Sequence, residues 1–353
     1  MSRFLLDRYQ SLEVYTPGEQ PQDMRYIKLN TNESPYPPGP ETLAALNRRE
    51  GENLRLYSDP ECAALRRSLA ALYGVEAGNI YVSNGSDDIL NFAFWAFCGQ
   101  GGEVSYPDVS YGFYSVFAQL HGCVPKAIPL KEDFSVDYRD YCGLDRFIVI
   151  ANPNAPTGLS LPLEQVEQIV RTNPNHVVVI DEAYVDFGGE SAVPLTRKYE
   201  NLLVVQTYSK SRSMAGARLG FAIGSRGLIE DLERLKFSTN PYNLNRLTLA
   251  AGTAAIGENG YYMENCRRIM ETRDWVTAEL QKLGFSVLPS KANFIFAESA
   301  KISGGELYRQ LRSRGILVRH FDSPRTGNFN RITIGTRQDM EALVAAVKEI
   351  LGG

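Results

Sequence analysis

Between residues 80 and 205 the chain repeats one pattern, and that pattern restricts the fold more than any other feature. Short apolar runs recur at Ile80-Tyr81-Val82, Glu103 to Tyr106, Phe147 to Ile150, Val177 to Ile180 and Leu202 to Val205. Helical spacing fills the gaps at Ser86 to Phe97, Tyr111 to Leu120 and Pro162 to Val170. Continuous apolar strands are buried on both faces, and strands alternating with helices make a largely parallel sheet. The expected fold class is α/β: a large domain with a mostly parallel sheet flanked by helices, plus a smaller α/β domain.

The smaller part follows from a change of pattern near Asn240-Pro241. Long helical segments come next, notably Tyr261 to Leu283 and Gln338 to Leu351, with short strands at Asn293 to Phe296, Ile316 to Val318 and Arg331 to Ile334. Before residue 41, Pro17-Gly18 and the prolines at 35, 37, 38 and 40 keep the chain irregular. The expected division is a large domain over 41–240, with an N-terminal arm (1–40) and a small C-terminal domain (241–353).

Composition excludes several classes. The 353 residues carry 37 Lys and Arg against 41 Asp and Glu, a net charge of −4 with no basic run, which argues against nucleic-acid binding. Cys62, Cys98, Cys123, Cys142 and Cys266 are scattered without a C-x-x-C pair, as expected of reduced thiols in the cytoplasm. His121, His176 and His320 lack metal-ligand spacing, so no metal is expected. The apolar start Met1 to Asp7 is too short for a signal peptide, and Ile89 to Cys98 is about half a bilayer span. A soluble cytoplasmic protein without membrane contact is expected.

Four motifs follow strands, where ligands bind in open α/β sheets. Thr207-Tyr208-Ser209-Lys210, with Arg218 eight residues on, offers a lysine for Schiff-base chemistry if burial deprotonates it. Asp181 and Tyr184 end the run Val177 to Ile180. Gly85-Ser86-Asp87 opens a helix whose free N–H groups suit a phosphate, although Asp87 and Asp88 would repel one. Asn152-Pro153-Asn154-Ala155-Pro156-Thr157-Gly158 forms a turn that its X-Pro bonds could set in the cis form. Each alone has an ordinary reading: a surface lysine, a helix cap, a capped helix, a loop of turn formers. The four in this order are much more specific.

Together they resemble the pyridoxal 5'-phosphate (PLP) dependent aminotransferase superfamily of the aspartate-aminotransferase fold (type I), over nearly the whole chain. The narrower resemblance is to the histidinol-phosphate aminotransferase family. It rests on Tyr15 to Gln20, Lys28 to Glu33, Tyr57-Ser58-Asp59-Pro60, Ser110 to Tyr114 and Asn330 to Thr336. The resemblance implies that Lys210 carries PLP and moves the proton, that Asp181 holds the ring nitrogen proton, and that Tyr184 binds the ring oxygen. It implies that Tyr111 stacks on the ring and that Ser86, Asp87, Ser209 and Arg218 hold the phosphate, with Gly85 and Thr207 among the cofactor contacts. Tyr57 would reach the partner's site in a homodimer with shared active sites. Ala155 stands where the superfamily usually has Asn, so either Tyr184 meets the ring oxygen alone or Asn154 reaches in from the neighbouring position; Asn154 is kept as a cofactor contact. Arg319, Arg331, Tyr15 and Asn32 are expected to bind substrate.

The implied reaction is a ping-pong exchange between L-histidinol phosphate and 2-oxoglutarate, giving imidazole-acetol phosphate and L-glutamate, a step of histidine biosynthesis. An aromatic amino-acid aminotransferase and a threonine-phosphate decarboxylase on the same fold stay open. A PLP-binding sensor domain of a transcription regulator is disfavoured, because about 30 residues precede the first cofactor-fold motif.

Overall fold

The apolar runs assemble into one seven-stranded sheet in the computed structural model of the chain, which describes residues 3–12 and 14–352. Met1 and Ser2, at the head of the apolar start, lie outside the described residues. In chain order, β1 (Ile27–Lys28) comes first and stands apart from the large sheet. The large sheet is built from β2 (Ile80–Ser83), β3 (Glu103–Pro107), β4 (Val124–Ile128), β5 (Phe147–Ala151), β6 (Val178–Asp181), β7 (Leu202–Thr207) and β8 (Gly220–Gly224). Their spatial order is β2-β8-β7-β6-β5-β3-β4. The pairs from β4 to β7 are parallel, and β8 runs antiparallel to both its neighbours.

Every residue of β5, β6 and β7 is buried, which explains their unbroken apolar sequence. The side chains still alternate. Ile148, Ile150, Val178, Ile180, Leu202 and Val204 enter one core, while Val149, Val179, Leu203 and Val205 enter the other. The helices before and between these strands are α1 (Pro40–Ala45), α2 (Arg48–Glu52), α3 (Ala63–Tyr73), α4 (Ser86–Phe97), α5 (Phe113–His121) and α6 (Leu163–Thr172). After β8 come α7 (Arg226–Thr239), α8 (Arg246–Gly257) and α9 (Asn259–Lys282). Residues of α3, α6 and α8 cover the first face, and residues of α4, α5 and α7 the second.

Two large-sheet strands escape the sequence pattern. In β4 four of the five residues are exposed, as suits an edge strand. In β8 glycines at both ends shorten the apolar run, and Gly220 has a packing reason given below.

The C-terminal part adds β9 (Phe285–Val287), β10 (Phe294–Ser299), α10 (Gly304–Ser313), β11 (Ile316–Leu317), β12 (Arg319–His320), β13 (Phe329–Thr333) and α11 (Arg337–Gly352). A four-stranded antiparallel sheet runs β12-β13-β10-β9, and β1 pairs in parallel with β11. Packing moves the boundary expected at residues 240–241. Leu244, Ala251, Ala255, Ile256 and Tyr262 belong to the large-sheet core, whereas Cys266, Ile269, Val276 and Leu280 belong to the smaller one. The division thus falls inside α9, because α8 has to cover the large sheet. The arm also joins the smaller core, through Leu29.

Candidate active site

The carboxyl ends of β5, β6 and β7 meet at a cavity of about 690 Å3. Asp181 ends β6 and Thr207 ends β7; Ser209 and Lys210 follow directly, and all four line the cavity. Ser86 and Asp87 reach it from the start of α4, and Tyr111 from the turn before α5. Tyr15 and Asn32 come from the arm, and Arg319 and Arg331 from the small sheet. Residues spread over more than 300 positions thus share one space only because the small sheet folds back over the large one.

Lys210 is held among these groups with its Nζ 3.0 Å from the carbonyl oxygen of Thr31. Burial, reinforced by the Arg331 charge, lowers its pKa to about 8. Asp181 is 5% exposed and accepts the Tyr114 hydroxyl at 2.8 Å. Burial pushes its carboxyl up to about 6 against the pull of that hydrogen bond. A buried acid raised in this way is stabilised by a cation placed beside it. Tyr184 accepts a hydrogen bond from Asn32 Nδ2 at 2.9 Å, and Lys210 Nζ lies 5.9 Å from its ring centroid.

One end of the cavity suits an anion. Gly85 has φ of +88°, a conformation open to glycine, and turns the chain into α4. A methyl group at Gly220 would lie 2.5 Å from the Ser86 nitrogen, so β8 passes close under this helix start because it carries no side chain there. Arg218 adds charge beside Ser209, 3.4 Å from its hydroxyl. The acids at this helix start do not oppose an anion as the sequence suggested. Asp87 is held by Tyr111 at 2.8 Å and Arg218 at 3.3 Å, and Asp88 is turned onto Ser83 and Asn243.

The opposite wall, with Arg319 and Arg331, also suits an anion. Arg331 donates to the Asn30 carbonyl at 3.0 Å, but its buried Nε has no partner among the described residues. Arg319 donates to the carbonyls of Thr16 and Pro17, which ties the arm across the cavity mouth. Tyr15 stacks on Phe113 at 4.2 Å in the same place.

Three expected contacts are absent from the cavity lining: Gly85, which turns the chain into α4, Asn154 and Tyr57. Asn154 does not line the cavity. Its amide donates to Val109 O and Thr157 Oγ1 and accepts from Ser110, so the side chain is spent on its own loop and on the turn before α5; both X-Pro bonds of the Asn154 loop are cis. Ala155 lines the cavity in its place. Tyr57 is 80% exposed and stacks on Tyr242 at 4.5 Å, outside its own chain's cavity. Its loop is held by the buried Lys236, which donates to Pro60 O at 2.6 Å, and by Arg246, which donates to Tyr57 O. Sequence reasoning missed Tyr114 as a site residue. It lies in the Ser110 to Tyr114 motif, but nothing local shows that it meets an acid 67 positions away.

No cluster of three or more metal-ligating side chains occurs among the described residues. The arrangement instead combines a depressed lysine, a buried acid awaiting a cation, and groups at both ends that suit an anion. Such a set could hold a flat cationic ring bearing an anionic group, next to an anionic substrate.

This fold and site define an aminotransferase: the chain belongs to the family described as aminotransferase class I and II, which matches residues 25–347. Within that class it belongs with the histidinol-phosphate aminotransferases. It is 50% identical to the histidinol-phosphate aminotransferase of Brachyspira hyodysenteriae over 352 residues, 99% of each chain. It is likewise 50% identical to that of Marinomonas sp., over 99% of this chain and 100% of the relative. Among solved structures, the Sinorhizobium meliloti histidinol-phosphate aminotransferase in complex with pyridoxal-5'-phosphate matches with a TM-score of 0.88 at 23% identity, covering 100% of this chain and 98% of that one. A Thermus thermophilus aspartate aminotransferase mutant matches with 0.83 at 20% identity, covering 99% and 100%. The last two carry the fold.

Proposed function

We propose that the chain transfers an amino group between L-histidinol phosphate and 2-oxoglutarate, with PLP held in the cavity. The observation that carries the reading is one cavity whose lining brings together Lys210, lowered to about 8, Asp181, and Arg331 with its unpartnered Nε. When bound, PLP supplies an electron sink for the pair left on the substrate carbon. Every other task falls to the chain's own residues.

Ser86 and Asp87 bind the cofactor phosphate through backbone N–H groups, and Ser209 and Arg218 through side chains. Asp181, oriented by Tyr114, keeps a proton at the ring nitrogen. Tyr184 donates to the ring oxygen, and Tyr111 covers a ring face. With a pKa of about 8, Lys210 is close to half neutral at that pH. An ordinary lysine near 10.4 would be under about 1% neutral. The neutral Nζ acts as nucleophile and then as the base that takes the proton from the substrate carbon. Arg331, with Arg319 at the mouth, binds the substrate phosphate in one half-reaction and the glutamate carboxylates in the other. Releasing Thr16 and Pro17 frees Arg319 for that role, and Tyr15 closes over the substrate.

The exposed Tyr57, on a loop anchored by a buried lysine, supports a homodimer in which it reaches the neighbouring site. No helix among the described residues is long and apolar enough to cross a membrane, and we place the reaction in the cytoplasm. The test is a rapid absorbance scan of the PLP-loaded protein mixed with L-histidinol phosphate, L-phenylalanine or L-threonine phosphate. Loss of the visible band with histidinol phosphate alone is expected. Preferential reaction with phenylalanine would move the substrate to aromatic amino acids, and carbon dioxide release from threonine phosphate would make the protein a decarboxylase.

A further inference from the structure

Tyr184 can serve the ring oxygen only if its hydroxyl proton points into the cavity. A phenol hydroxyl can point either way in the plane of its ring, so something has to choose that direction. The choice is made by a chain of hydrogen bonds linking the arm to β13. The backbone N–H of Asn32 donates to Thr333 Oγ1 at 3.0 Å. Thr333 Oγ1 in turn donates to Asn32 Oδ1 at 3.0 Å. Asn32 Nδ2 then donates to the Tyr184 hydroxyl oxygen at 2.9 Å.

The order of donors follows from the acceptors available. The Thr333 oxygen accepts the backbone N–H, and the acceptor given for its own proton is the Asn32 amide oxygen. Flipping the Asn32 amide would leave that proton without an acceptor among the described residues. The amide therefore presents its NH2 to Tyr184, and the Tyr184 oxygen accepts. Its own proton finds no acceptor in the protein among the described residues and faces the cavity that Tyr184 lines. Asn32 and Thr333 are each 1% exposed, so water does not compete. The Asn32 backbone is held as well: its carbonyl accepts from Asn293 Nδ2 at 3.0 Å, and its φ of +57° is one that Asn tolerates better than most residues. Ala155, on the same cavity, offers no side-chain donor, so the direction of the Tyr184 proton carries more weight here.

We infer that Asn32 and Thr333 are positioning residues that orient the Tyr184 hydroxyl as a donor to the cofactor ring oxygen. The inference rests on the proposed PLP site and on Tyr184 facing that oxygen. A donor there stabilises negative charge on the oxygen and so loosens a proton held nearby. Losing the donor raises the pH at which the visible band of the PLP-loaded protein changes.

The experiment is a pH titration of that band in the PLP-loaded protein. Tyr184→Phe is expected to raise the midpoint by about one pH unit, the scale of a single hydrogen bond. Asn32→Ala and Thr333→Val are expected to raise it by about half as much, and Thr333→Ser, which keeps the hydroxyl, to leave it unchanged. In a Tyr184→Phe background, Asn32→Ala should add nothing. A shift with Tyr184→Phe but none with Asn32→Ala or Thr333→Val overturns the inference and spares the site. An undiminished Asn32→Ala shift in the Phe background also overturns it, since Asn32 would then act by another route. No shift with Tyr184→Phe overturns both the inference and the Tyr184 assignment. If Asn32→Ala does not fold, the Val and Ser variants at Thr333 decide alone.

Discussion

Replacing Asp181 by Asn in the cofactor-free protein removes a carboxyl that burial has pushed from 3.8 to about 6. In the unfolded chain the same group titrates near its ordinary value. The folded protein therefore holds this proton more tightly than the unfolded chain does. Asp181 is harmless below about pH 4, where both states are protonated, and its penalty grows as the pH rises through the folded value. That rise amounts to about 3 kcal/mol at pH 8 and about half as much at pH 5. For a chain of 353 residues the unfolding entropy is about 0.7 kcal/mol/K, so the gain in melting temperature is about 4 °C at pH 8 and about 2 °C at pH 5. Asn can still accept the Tyr114 hydroxyl, and any fixed effect of the new amide cancels between the two pH values. The assay is thermal unfolding of wild-type and Asp181→Asn protein, both stripped of PLP. A gap that stays constant or narrows from pH 5 to pH 8 would refute the buried, uncompensated carboxyl. Adding PLP should reverse the order, because the carboxylate then faces a cation.

Three further outcomes are expected. Lys210→Ala should still bind PLP through the Ser86, Ser209 and Arg218 end yet lose turnover, and near wild-type turnover would remove Lys210 from the chemistry. Arg319→Ala should weaken histidinol phosphate by about tenfold, in line with a lost charge-assisted hydrogen bond, and phenylalanine by less; steady-state kinetics with both substrates would show equal losses if Arg319 does not meet the phosphate. Gly220→Ala places a methyl group 2.5 Å from the Ser86 nitrogen and 2.6 Å from the Gly85 carbonyl carbon. It should weaken PLP binding more than it lowers the melting temperature of the cofactor-free protein, and unchanged PLP affinity by fluorescence titration would mean the helix start does not hold the phosphate.

The parallel layer was legible because β5, β6 and β7 are buried on both faces, and burial on both faces writes itself as unbroken runs such as Val178 to Ile180. The edge strand β4 and the glycine-ended β8 were not, since one faces water and the other is shaped by what must pass close to it. The site motifs were legible for a related reason. Asp181, Lys210 and Ser86 sit at strand or helix ends, where local sequence places them at the carboxyl edge.

Direction and partnership were a different matter. Asn154 reads as a cavity residue from its motif, yet its amide is consumed by Val109, Ser110 and Thr157, a competition that no local pattern displays. Tyr114 reads only as the end of the Ser110 to Tyr114 motif and turns out to hold Asp181. Asn32 reads as an arm residue over the substrate, and the fold makes it a donor to Tyr184 by bringing Thr333 against it from 301 positions away. The sequence by itself determined the layer, the sheet edge where the candidate site lies and the residue types found there, because these depend on periodicity and chain neighbours. The tertiary structure alone decided which donor meets which acceptor, because a hydrogen bond depends on ångström-scale placement of groups from distant parts of the chain.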